Sequence, residues 1–187
     1  MKKIDINKVP VTTFILFLIC VIVTAALAGT NFITKARISA LEEQSQYEAL
    51  AVVFKDADEY ALLSELPTNS ADKVCYLAKK GGVINGFVAT ASVKGYGGDI
   101  KVMVGVDNNN TITGVKILSA ADETPGLGMK ITGKSYYEQY SGKSSDFENK
   151  DVTLITGATI SSTAARDAVR EALEGIKNAK LKYGEVK

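Results

Sequence analysis

Thr156-Gly157-Ala158-Thr159-Ile160-Ser161-Ser162-Thr163 joins a short apolar run, residues 152–155, to the last helical stretch of the chain. Before it, Leu154 and Ile155 read as the end of a buried strand. After it, Ala165, Val169, Ala172, Leu173 and Ile176 form an apolar stripe at helical period. The junction is therefore a helix N-terminus, where backbone N–H groups lack partners and the macrodipole is positive. Such an end attracts phosphate. Gly157 and Ala158 leave the approach to Thr159 open, so the stretch describes an anchor for a phosphate-bearing group. Ser and Thr are also ordinary N-cap residues, and the same string can simply start a helix.

Upstream of this junction the pattern changes to β. Residues 73–78, 83–93, 100–106 and 111–118 are rich in Val, Ile, Tyr and Thr and partly alternate. Lys79-Lys80-Gly81-Gly82 and Asp107-Asn108-Asn109-Asn110 read as hairpin turns, because Gly and Asn tolerate positive φ. Gly95-Tyr96-Gly97-Gly98-Asp99 interrupts this sheet as a glycine-rich structural turn. In Glu123-Thr124-Pro125-Gly126-Leu127-Gly128, Pro125 and Gly126 fit the centre of a type II turn. That corner serves either as a rigid connection into a helix near 129–140, or as a wall. In the second reading Thr124 and Leu127 pack on a planar ring and Glu123 hydrogen-bonds its edge. Together these patterns predict an α+β fold, an antiparallel sheet packed by helices.

The N-terminal part has a different character. Val9 to Thr34 is an uncharged run of 26 residues. As a helix it spans roughly 39 Å, more than the ~30 Å hydrocarbon core of a bilayer. It exceeds a normal signal-peptide core, although Ala26-Leu27-Ala28 resembles a cleavage site. The reading is one retained transmembrane helix over 9–34, after a tail over 1–8. Lys2, Lys3 and Lys8 before it, against Lys35 and Arg37 after it, put the N-terminus in the cytoplasm and the rest outside. Ile38, Leu41, Tyr47, Leu50 and Val53 continue a helical pattern, giving a membrane-proximal stalk and linker over 35–72. Asp56–Glu59 breaks that helix, and Leu66–Ser70 is a loop. The remaining domain covers 73–187.

Composition removes several chemistries. The chain has 187 residues, a formal net charge of +1 and no histidine. Histidine-dependent nucleophilic catalysis and His-containing metal sites are excluded. The near-neutral charge does not suggest nucleic acid as a partner. Cys20 and Cys75, far apart, support neither a disulfide framework nor a cysteine metal centre. No metal and no catalytic residue is expected, and redox chemistry in this chain requires a borrowed cofactor.

The order Gly95–Asp99, then Glu123–Gly128, then Thr156–Ser162, behind one N-terminal transmembrane helix, resembles the G subunit of Rnf-type electron transport complexes. The resemblance covers nearly the whole chain and centres on an FMN-binding domain. The Thr156-Gly157-Ala158-Thr159 string is similar to the flavinylation motif of that family. There the last Thr carries FMN as a phosphoester, made by a flavin transferase with FAD as donor. The resemblance implies covalent FMN on Thr159, with Thr156, Gly157, Ala158, Ser161, Glu123, Thr124, Leu127 and Gly128 as flavin contacts. It implies a single-pass cell-membrane subunit that relays electrons in a ferredoxin:NAD+ oxidoreductase coupled to Na+ or H+ transport. Other membrane and peripheral subunits, the flavin transferase and membrane lipid would be its partners, with no substrate site of its own. The C subunit of the sodium-translocating NADH:quinone oxidoreductase shares this domain but is usually larger. A membrane-anchored binding module without flavin is the non-redox alternative. Where the family commonly has Asp, three positions before the motif, this chain has Thr153, and the nearest acid is Asp151.

Overall fold

The structure, a computed structural model of the chain, describes residues 9–63 and 74–183. It divides into two compact units, Met1–Gln44 and Ser45–Lys187. The tail over 1–8 and the loop expected at Leu66–Ser70 lie outside the described residues.

Helix α1 runs over Val9–Val53. Its segment Thr13–Thr34 has a mean hydropathy of 2.5, and none of it is buried within the protein. Among the described residues this is one helix long and apolar enough to cross a membrane. Apolar side chains point out all round, which a helix tolerates in lipid and not in water. Thr30 and Thr34 donate their hydroxyls to the carbonyls of Ala26 and Thr30, so these two donors are paired within the helix itself.

The second unit is built on a five-stranded antiparallel meander, β1 Glu59–Leu63, β2 Cys75–Lys80, β3 Val83–Lys94, β4 Asp99–Asp107 and β5 Ile112–Ser119, in that spatial order. β1 occupies part of the segment read as linker, so the sheet starts before residue 73. Its sequence, Glu-Tyr-Ala-Leu-Leu, carries no strand signal of its own. Pairing along β2, from Glu59↔Lys79 to Leu63↔Cys75, makes it a strand. The turn between β2 and β3 holds Gly81 at φ 58° and Gly82 at φ 81°, as a type I′ hairpin requires. The glycine-rich Gly95–Gly98 stretch is the β3–β4 hairpin loop, closed by Gly95 N–H donating to the Gly98 carbonyl at 2.7 Å.

Period-two alternation divides the sheet into two buried faces. Phe87, Ala89 and Ala91 of β3 and Ile100, Val102, Val104 and Val106 of β4 face helix α3, Thr159–Tyr183. From α3 they meet Ala165, Ala168, Val169, Ala172, Leu173 and Ile176, the stripe read from the sequence. The alanines let the helix axis approach the strands, and each buried Val, Leu or Ile contributes about 1.5–3 kcal/mol. On the opposite face Ala78, Val88 and Met103 pack on Ala49, Leu50, Val53 and Phe54 from the end of α1. Gly105 and Gly114 are cross-strand partners there. A Cβ at Gly114 would lie 2.9 Å from the Val53 carbonyl oxygen, and one at Gly105 would lie 2.8 Å from Val53 Cγ1. The end of α1 thus rests in a backbone groove. Its last carbonyls are satisfied by hydroxyls, Thr113 to Val53 O at 2.8 Å and Tyr60 to Phe54 O at 2.7 Å.

Two local expectations are corrected. The helix expected near 129–140 is three short pieces: a 3₁₀ turn Gly128–Thr132, helix α2 Lys134–Tyr137 and a 3₁₀ turn Glu138–Tyr140. Extended Gly133 separates the first two, and Tyr136 and Tyr140 are drawn into the core. The strand expected to end at Leu154-Ile155 is irregular. Its backbone donors go to side chains, Thr153 N–H to Gln139 Oε1 at 2.8 Å and Ile155 N–H to Ser162 Oγ at 3.3 Å, and not to a ladder.

Candidate functional site

Two glycine turns and one hairpin loop meet at the N-terminus of α3. In the first turn Leu127 N–H donates to the Thr124 carbonyl at 3.2 Å, with Gly126 at φ 75°, the conformation a type II turn demands. In the second, Ala158 N–H donates to the Ile155 carbonyl at 3.0 Å, with Gly157 at φ 82°. Leu127 covers that glycine: a Cβ on Gly157 would lie 3.3 Å from Leu127 Cδ1. The β3–β4 loop packs on the residues before the first turn. Cβ atoms at Gly97 and Gly98 would collide with Asp122, which explains two of the glycines in Gly95-Tyr96-Gly97-Gly98.

Between these elements lies a cleft of about 580 Å³. Tyr96 comes from the hairpin loop, Thr124, Leu127 and Gly128 from the first turn, and Gly157, Ala158, Thr159, Ile160 and Ser161 from the start of α3. Thr159 is the first residue of α3 and is exposed. The first helical bond is Ser162 N–H to the Ala158 carbonyl, at 2.9 Å. The N–H groups of Thr159, Ile160 and Ser161 therefore precede the ladder and face the helix end. Tyr96, Leu127 and Ile160 remain 68%, 39% and 58% exposed, an apolar rim beside a donor-rich helix terminus.

The hydroxyls of the junction separate by environment. Ser162 is fully buried, and its Oγ donates to the Ala158 carbonyl at 2.8 Å. The Ser161 hydroxyl donates to Glu123 Oε2. Thr156, one of the flavin contacts implied by the resemblance, is exposed and does not line the cleft. It is set apart by position, on the far side of the Gly157 corner.

Glu123 sits elsewhere than the ring-edge reading placed it. It is 2% exposed and absent from the cleft wall. Its Oε1 accepts the amides of Tyr96 at 2.8 Å and Gly97 at 3.1 Å. Burial pushes the carboxyl pKa up, but the Ser161 hydroxyl and the Gly97, Tyr96 and Gly98 amides overcome this and hold it below the ordinary value. The carboxylate is ionised inside the protein wall, with both oxygens engaged. Tyr96 is the wall residue that sequence reasoning missed. An aromatic flanked by glycines was the available signal, but the closeness of the hairpin to α3 is tertiary. Asp151, the acid nearest the motif, accepts the Glu148 amide at 2.8 Å in a capping box. Thr153 is exposed, bracketed by Gln139.

The cleft lies within a region that matches a known domain. An FMN-binding domain model matches residues 95–174, and an RnfG N-terminal region model matches residues 1–53. The chain is 28% identical over 202 residues to the G subunit of the Na(+)-translocating ferredoxin:NAD(+) oxidoreductase complex of Acetobacterium woodii, covering 94% of this chain and 95% of that one. It is 30% identical over 183 residues to the G subunit of the proton-translocating ferredoxin:NAD(+) oxidoreductase complex of Clostridium ljungdahlii, with the same coverage. A crystal structure of the C subunit of the Na(+)-translocating NADH-quinone reductase from Parabacteroides distasonis shares the fold at TM-score 0.52 and 19% identity, over 70% of this chain and 79% of that one. Shewanella oneidensis NqrC does so at TM-score 0.50 and 20% identity, over 70% and 73%. With a flavin-domain match over its cleft and G-subunit relatives along nearly its full length, the chain belongs to the family of G subunits of Rnf-type ion-translocating oxidoreductase complexes.

Proposed function

We propose that this chain is the membrane-anchored flavoprotein subunit of an ion-translocating ferredoxin:NAD+ oxidoreductase complex, carrying FMN as a phosphoester on Thr159. The observation that carries the reading is Thr159 itself: an exposed, hydroxyl-bearing residue at the first position of a 25-residue helix, lining a cleft within the matched FMN-binding domain. The residues fit the group. A cleft of about 580 Å³ is within the range of cofactor sites, and its wall offers Leu127 and Tyr96 as apolar surface for a planar ring. The unpaired amides of the first turn of α3 would donate to a phosphodiester, a contact worth about 0.3–2 kcal/mol. The bound flavin supplies one- and two-electron redox capacity, and a phosphoester leaves its ring chemically unaltered.

Attachment is a group transfer at Thr159. Its Oγ1 forms the new bond to the FMN phosphorus, the pyrophosphate bond of FAD breaks, AMP leaves, and the hydroxyl proton is released. A flavin transferase is the partner for this step, reading the Thr156–Thr159 corner, where Thr156, Gly157 and Thr159 are exposed, with Thr153 in the position its acid usually holds. In the assembled complex the chain relays electrons between neighbouring subunits. Thr13–Thr34 spans the membrane in contact with lipid, with the N-terminal tail cytoplasmic and the second unit outside. The two relatives differ in the ion their names carry and are similar to this chain over the same share of its length.

Peptide mass spectrometry of the 151–166 fragment from the native complex tests the reading, with the FMN mass expected on Thr159. Thr159→Ala should insert and fold without covalent flavin, giving no fluorescent band after denaturing electrophoresis. The FMN mass on another residue, or none in the native complex, refutes it.

A further inference from the structure

Among the described residues Glu123 is the only charged side chain that is fully buried, and relaying electrons gives it no direct part. Its surroundings are specific. Oε1 accepts the amides of Tyr96 and Gly97 from the β3–β4 loop, and Oε2 accepts the Ser161 hydroxyl from the first turn of α3. A Cβ at Gly95 would collide with Oε1, and one at Gly128 would lie 2.5 Å from Oε2, so two glycine backbones clasp the carboxylate. Tyr96, Gly128 and Ser161 each line the cleft, and each belongs to a different wall. The walls of Tyr96 and Ser161 come from segments 27 and 38 residues from Glu123, the separations of its bonds to those two residues.

We propose that Glu123 is a positioning residue, whose buried carboxylate locks the hairpin loop, the Thr124–Leu127 turn and the first turn of α3 into the one arrangement that presents Thr159 for flavin attachment. Resting on the Thr159 reading above, it assigns Glu123 no contact with the cofactor. A buried charge suits this role because its bonds to amides and a hydroxyl are stronger than neutral ones and lose most when any wall shifts. Reactions that depend on orientation fall steeply when the reacting hydroxyl is displaced.

The test uses the full-length chain in detergent, with FAD and purified flavin transferase. Glu123→Gln keeps the shape and removes the charge. Ser161→Ala removes one wall's bond and leaves the carboxylate held by the hairpin. Loading rate at saturating FAD, counted per folded molecule, should fall about tenfold or more in Glu123→Gln, with a smaller fall in Ser161→Ala. Amide exchange at Tyr96 and Gly97 in the unloaded chain should accelerate in Glu123→Gln, while far-ultraviolet circular dichroism is unchanged. Wild-type rates per folded molecule with unchanged amide protection overturn the proposal. So does a normal loading rate with a shifted flavin absorption spectrum, which would make Glu123 a cofactor contact. If both variants unfold, Glu123 is structural only and the proposal fails. A wild-type control that loads a residue other than Thr159 refutes the attachment reading instead, and amide exchange then decides the lock alone.

Discussion

Thr159, Ser161 and Ser162 stand within four positions of one another and meet three environments. One hydroxyl is exposed in a cleft, one is bonded to a buried carboxylate, and one is buried against its own helix start. Thr159→Ser retains a hydroxyl there and should keep partial flavin loading, read as fluorescence per band. Glu123 titrates with a definite sign. Its native pKa lies below the ordinary 4.5, so its stabilisation is complete above that value and is lost as pH falls through the lower native one. Glu123→Gln should therefore cost about 1–3 kcal/mol at neutral pH, in urea unfolding, and the gap to wild type should close in acid. Cys75 is buried on the α3 face of the sheet, and burial pushes its thiol up to about 12. It should resist maleimide in the folded chain at pH 8 and react on unfolding, since the thiolate is the nucleophile. Cys75→Ser should leave flavin content per folded molecule unchanged.

The two kinds of glycine in the sheet predict opposite tolerances. Gly81 turns at φ 58° with no atom near a would-be Cβ, so Gly81→Asn should cost less than about 0.5 kcal/mol. Gly114 has no positive φ, but its Cβ would press on the Val53 backbone. Gly114→Val should destabilise the second unit by about 1–3 kcal/mol, through overpacking against the end of α1. Chemical denaturation of the two variants in detergent separates strain in a turn from closure of a groove. Strand existence from β2 to β5 was legible because Val, Ile, Tyr and Thr partly alternate between Gly and Asn turns, with Tyr76 the strand former inside β2. β1 was not, because Glu, Ala and Leu acquire strand geometry from their neighbour. Helix α3 was legible from its stripe, whereas residues 129–140 follow tyrosine burial instead of a helical period.

At the scale of the whole chain, one polypeptide unites a lipid-compatible helix with a flavin-domain fold. The proposed orientation predicts that protease added to intact spheroplasts removes the second unit and spares Thr13–Thr34. Full protection of that unit would reverse the topology.

The residues alone determined the apolar span, the antiparallel sheet, the final amphipathic helix and the turn at Pro125-Gly126, because each rests on local periodicity or on a φ only glycine accepts readily. They also singled out Thr159 as a hydroxyl at a helix start. The tertiary structure alone decided which hydroxyls of that corner face the cleft, that Tyr96 forms a wall, and that Glu123 lies inside the wall, not at its surface. Those outcomes depend on contacts spanning 27 and 38 residues. No local pattern encodes which loop will donate its amides to a distant carboxylate, because burial and hydrogen bonding are settled only when the sheet and α3 close on each other.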